Sequence, residues 1–116
     1  MDIKIATRGF GALSQETRLE AFRLLVRCGA DGMAAGDIAR AVSVPQNTMS
    51  SHLATLVNAG LLESRRQGRS IIYSVDLGGT QALLTFLLED CCQGQSEACV
   101  SLVNAVLPGR SSAECA

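Results

Sequence analysis

Three cysteines toward one end of the chain, Cys91, Cys92 and Cys99, are the residues best equipped for chemistry. Thiolates are soft donors that select thiophilic ions, and three of them suit the pyramidal three-coordinate geometry of arsenic(III) or antimony(III). Adjacent helical residues point roughly 100° apart, so Cys91 and Cys92 converge on one ion only where a helix frays. Gly94 supplies such an end, and the residues after Cys92 let the chain fold back to deliver Cys99 as third sulfur. Two other readings of the trio stay open. Cys91 and Cys92 follow Leu87 and Leu88 at helical spacing and could extend an apolar stripe as small hydrophobes. A pair such as Cys91 or Cys92 with Cys99 could instead close an oxidative or polysulfide bridge, since adjacent cysteines rarely form a relaxed disulfide with each other. Cys28 follows Leu24 and Leu25 and reads as core, while Cys115 reads as an incidental or an auxiliary thiol in a polar tail.

A second constellation is charged. Arg65, Arg66 and Arg69 crowd five consecutive positions in a chain whose formal net charge is -1. That balance opposes a protein whose whole surface meets phosphate. It permits a local basic element on an acidic body, because Glu89, Asp90, Glu97 and Glu114 lie toward the C-terminus. Upstream, Gln46, Asn47, Thr48, Ser50, Ser51 and Thr55 form an uncharged polar set able to hydrogen-bond bases or phosphates. The arginines fit phosphate contacts, with Arg40 in support; a solvated hairpin face and a plain polar helix surface would look the same in composition.

The elements that position these residues follow from periodicity. Ile3, Ala6, Phe10 and Leu13 recur at helical spacing behind Asp2, an N-cap, although Gly9 and Gly11 weaken that helix. Ser14 is the expected cap of a second helix whose inner stripe is Leu19, Phe22, Leu25 and Val26, ending at Gly29. Asp31 and Gly32 read as a turn, and Met33 to Val42 as a short helix. Ser43 and Val44 connect it to a helix with Pro45 in its first position and Met49, Leu53, Leu56 and Val57 facing inward. Gly60 ends that helix. Leu61 to Arg65 and Ser70 to Val75 are β-prone runs around Gln67 and Gly68, which reads as a hairpin. Asp76 opens a last strong helix carrying Leu83, Leu84, Leu87 and Leu88, and a weaker one spans Ala98 to Leu107.

The fold class is therefore mainly α with a β-hairpin wing: two helices joined by a short turn, then a hairpin, form a winged helix-turn-helix whose second helix enters a DNA major groove. Residues 1–107 make one DNA-binding and dimerisation domain and residues 108–116 a flexible tail, consistent with 116 residues at 47% apolar content closing one core. The Ile3, Ala6, Phe10 face and the Leu84, Leu87, Leu88 face exceed what one small core hides, which predicts a homodimer through the terminal helices. A two-fold dimer reads an inverted repeat in duplex operator DNA. The N-terminus has no long apolar stretch, so no membrane association and a cytoplasmic location are expected.

Ala12-Leu13-Ser14-Gln15-Glu16-Thr17-Arg18-Leu19, Ser50-Ser51-His52-Leu53 with Leu56, and Ala59-Gly60-Leu61-Leu62 through Arg65-Arg66-Gln67-Gly68-Arg69 to Tyr73 resemble, in order and spacing, the ArsR/SmtB family of metalloregulatory repressors. The likeness covers roughly residues 12 to 90. It implies that Ser50 and Ser51 face DNA while His52, the one histidine, stays partly tucked behind them without chemistry of its own. The Cys-x-Val-Cys segment of many members is absent, since Ala34 to Ala39 contains no cysteine. A vicinal pair with a third cysteine resembles instead the atypical arsenic-responsive branch, whose ligands end the dimerisation helix. This implies a repressor induced by arsenic(III) or antimony(III), with no catalytic cofactor; a thiol redox or persulfide-responsive repressor of the same fold is the alternative. A thiol oxidoreductase fits less well, because no Cys-x-x-Cys or phosphate-binding loop accompanies the cysteines.

Overall fold

The computed structural model describes residues 1–88. Cys91, Cys92, Cys99 and Cys115, the helix expected over Ala98 to Leu107 and the tail from Pro108 lie outside the described residues. Helix α1 (Ile3–Leu13) opens on Asp2, whose carboxylate accepts from the Ile5 N–H at 2.9 Å, satisfying one of the orphan donors of a helix start. Replacing Asp2 with Ala should cost about 1 kcal/mol. The check is the midpoint of urea unfolding at fixed protein concentration, and an unmoved midpoint would show that the cap contributes nothing. Gly9 does more than weaken α1. It is buried, and a Cβ built there would stand 3.1 Å from Leu83 Cδ2 of the helix that follows the hairpin, so the glycine lets the two helices approach.

Helix α2 (Glu16–Cys28) is capped by Gln15, whose side chain accepts from the Arg18 N–H at 2.8 Å. The expected cap, Ser14, instead closes α1, its hydroxyl donating to the Gly11 carbonyl at 2.8 Å. The inner stripe also differs from expectation. Ala21, Phe22, Leu25 and Cys28 are buried, whereas Leu19 and Val26 are 43% and 53% exposed. The physical reason is rotation: the core takes the positions three and four apart from Leu25, and Leu19 and Val26 flank that arc.

After one 3-10 turn (Gly29–Asp31), Met33–Ala34 form a two-residue strand, β1, rather than the start of a helix. They pair antiparallel with Tyr73 and Ile72, so their backbone groups are spent on a sheet. Helix α3 (Ala35–Val42) follows, and Ser43 turns the chain in the left-handed region, at φ 64° and ψ 46°. Helix α4 (Gln46–Asn58) begins one residue past Pro45, which sits at the cap in extended conformation. Strands β2 (Leu62–Gln67) and β3 (Ser70–Val75) make the hairpin, with Gly68 at φ +64° in its turn, and the sheet order is β1-β3-β2. Asp76 caps helix α5 (Leu77–Leu88) by accepting from the Gly79 N–H at 3.0 Å.

Met49, Leu53 and Leu56 fall at i, i+4 and i+7 on α4 and are wholly buried against Leu25, Ile38, Leu61 and Leu62. This places the helix pair α3–α4 and the root of the hairpin on one core. A different apolar surface stays uncovered: Ile3 and Phe10 of α1, and Leu84 and Leu87 of α5, are 67%, 37%, 52% and 60% exposed. Ala6, expected on that face, is buried beneath it. Among the described residues no helix is long and apolar enough to cross a membrane.

Candidate nucleic-acid interface

With Met49, Leu53 and Leu56 held in the core, α4 turns Gln46, Asn47, Thr48, Ser51 and Thr55 outward as exposed residues, and Ser50 sits half-buried at the edge. Six polar side chains thus share the solvent side of one helix. Some of their hydrogen-bonding capacity is already committed. The Asn47 side-chain oxygen accepts from the Thr48 N–H at 2.9 Å, which leaves its amide N–H groups to donate, and the Thr55 hydroxyl donates to the Ser51 carbonyl at 3.2 Å. A helix with such a face can present donors and acceptors to base edges.

The hairpin supplies charge beside it. Arg66 and Arg69 are exposed, and among the described residues neither guanidinium donates to a protein acceptor. Arg65 differs. Its Nη2 donates to the Asp31 carbonyl at 2.8 Å and its Nη1 to the Ala30 carbonyl at 3.4 Å, tying the hairpin to the 3-10 turn that ends α2. Periodicity in β2 could not reveal this, since the acceptors are backbone groups more than thirty residues away. Arg40 is paired with Asp37 one helical turn earlier, so its charge is partly offset. A polar cleft of about 430 Å³ lies between the start of α4 and the hairpin, lined by Gly36, Arg40, Gln46, Ser50, Arg69 and Tyr73 among others. Ser70 and Tyr73 also line this rim, although the sequence marked them only as part of a β-prone run.

The other reactive groups are few. Among the described residues no three His, Cys, Asp or Glu side chains are grouped so as to hold a metal ion. Cys28 is buried at the end of α2, as its spacing predicted. His52 is half-buried on α4, with Nδ1 3.3 Å from Nη1 of Arg18.

A helix pair with a left-handed turn, a polar second helix and an arginine-bearing hairpin next to it define a winged helix-turn-helix, a fold of transcriptional regulators. The helix-turn-helix domain family matches residues 13–65. HTH-type transcriptional regulator YgaV of Escherichia coli (strain K12) is 32% identical over 73 residues, which are 60% of this chain and 74% of that protein. Among solved structures, an ArsR-like transcriptional regulator from Rhodococcus sp. RHA1 superposes with TM-score 0.65 at 25% identity over 89% of this chain and 92% of its own. The homodimeric winged helix-turn-helix DNA-binding domain of Mb0332 from Mycobacterium bovis gives TM-score 0.62 at 26% identity, over 78% and 83%. The chain belongs to the ArsR family of winged helix-turn-helix transcriptional regulators.

Proposed function

We propose that the protein is a repressor that grips an inverted-repeat operator as a homodimer and lets go when arsenic(III) or antimony(III) binds Cys91, Cys92 and Cys99. The observation that carries the DNA-binding part is the uncharged polar face of α4 beside two exposed arginines that make no contact with protein acceptors among the described residues. Gln46, Asn47, Thr48, Ser50, Ser51 and Thr55 are the base- and backbone-reading set. Arg66 and Arg69 neutralise phosphates, and Arg65 braces the wing with donors left over for the backbone. The uncovered α1 and α5 leucine, isoleucine and phenylalanine side chains support pairing of two protomers, an assembly that the Mb0332 domain also adopts. Pairing sets two reading helices about one DNA turn apart.

The inducer reading rests on donor chemistry, three soft thiolates within a short stretch that follows α5 directly. An ion held there needs only to favour the DNA-incompetent pairing by about 1–3 kcal/mol to empty the operator, and DNA must weaken ion binding by the same amount. A second reading of the same cysteines is thiol redox, in which Cys91 or Cys92 closes an oxidative or polysulfide bridge to Cys99. One experiment separates them: titration of the operator-bound full chain with arsenite, antimonite, zinc, cadmium and hydrogen peroxide. Release by arsenite or antimonite at stoichiometric concentration supports the metalloid reading. Release by peroxide alone supports the redox reading, and indifference to all five overturns both.

A further inference from the structure

Arg18 joins three helices through one side chain. It lies in the first turn of α2, half-buried, and its Nε donates to the Ala12 carbonyl at 2.6 Å. That carbonyl belongs to the last turn of α1, where helix geometry leaves acceptors without intrahelical partners. On the other side, Nη1 stands 3.3 Å from Nδ1 of His52 on α4. A guanidinium can only donate, so Nδ1 is the acceptor and the imidazole proton in this contact sits on Nε2. His52 shares a helix surface with Thr48, four residues before it, and Thr55, three after it. Holding His52 therefore fixes the rotation of α4 that decides how those two threonines and Ser51 are offered to a duplex. The far end of the same clamp is α1, which carries the uncovered Ile3 and Phe10.

We propose that Arg18 is a positioning residue for DNA reading: clamped between the Ala12 carbonyl and His52 Nδ1, it sets the angle of the reading helix against α1 and so ties the geometry of the paired face to that of the DNA face. This rests on the DNA-reading function proposed above. The guanidinium suits the task because it is planar and branched, with separate donors aimed at two acceptors. A lysine keeps the charge and the aliphatic stem but carries a single nitrogen, which cannot span both.

The test measures affinity of the full chain for duplex from its own upstream region and for unrelated duplex, across a salt series. Arg18→Lys and His52→Leu are each expected to lower upstream-region affinity about tenfold, the scale of losing a charged hydrogen bond. Affinity for unrelated duplex, the salt slope and the oligomeric state should stay as in the unmodified chain. His52→Asn should restore most of the loss, because its Oδ1 can accept where Nδ1 did. The double variant Arg18→Lys with His52→Leu should be no weaker than either single one. Upstream-region affinity of Arg18→Lys within twofold of the unmodified chain would overturn the inference. So would a shallower salt slope, which would put Arg18 on a phosphate, or additive losses in the double variant. An unmodified chain with no preference for its upstream region would instead bring down the DNA-reading function itself.

Discussion

Replacing Arg66 and Arg69 together with glutamine is expected to lower operator affinity roughly a hundredfold or more near 0.1 M salt, because a dimer loses four phosphate-facing charges at once. Each lost contact should also make the slope of log affinity against log salt shallower by about 0.9, so the change in slope counts the contacts. The loss should be nearly uniform across operator and unrelated sequences, since phosphate contacts position a protein without reading bases. Arg65→Gln makes a contrasting control. Its guanidinium is engaged with the Ala30 and Asp31 carbonyls, so the variant should loosen the hairpin root while shifting the salt slope less than the pair does. Gel-shift titrations at several salt concentrations decide the matter. An unchanged slope in the Arg66 and Arg69 double variant would remove the wing from the DNA contact.

Replacing Cys91, Cys92 and Cys99 together with serine should leave operator binding intact and abolish release by arsenite. Serine keeps nearly the same volume but offers a hard oxygen in place of a soft thiolate, so the donor preference for a thiophilic ion disappears. Single substitutions refine this. If all three sulfurs bind one ion, each single variant should weaken arsenite-driven release markedly, whereas a species that needs two sulfurs should tolerate loss of one. The measurement is fluorescence anisotropy of a labelled operator duplex titrated with arsenite. Release that persists in the triple variant would show that these cysteines are not the sensor. Under the redox alternative, in which Cys91 or Cys92 bridges to Cys99, the unmodified chain should be released by peroxide and the triple variant should lose that release.

What the sequence disclosed was decided by range. The Met49, Leu53, Leu56 stripe of α4 was legible because burial repeats every three to four residues, and once those three are inward the polar face of the helix follows without further information. The hairpin was legible from β-prone runs around Gly68. Three features escaped because they depend on partners far along the chain. Met33 and Ala34 become a strand only because β3 offers them an edge at Ile72 and Tyr73. Arg65 is drawn to carbonyls beyond α2, and Arg18 to a histidine on another helix. The cap exchange between Ser14 and Gln15 failed for the opposite reason. Both residues can serve a local cap, and the difference of one position lies below what residue preference resolves.

The account turns on two winged helices held as a pair against one duplex. Hydroxyl-radical footprinting of the region upstream of the coding sequence tests it most directly. The expected pattern is two protected stretches of inverted sequence, their centres about 10 base pairs apart on the same face of the DNA. A single protected stretch, or uniform cleavage along the whole fragment at protein concentrations that saturate the shift, would contradict it.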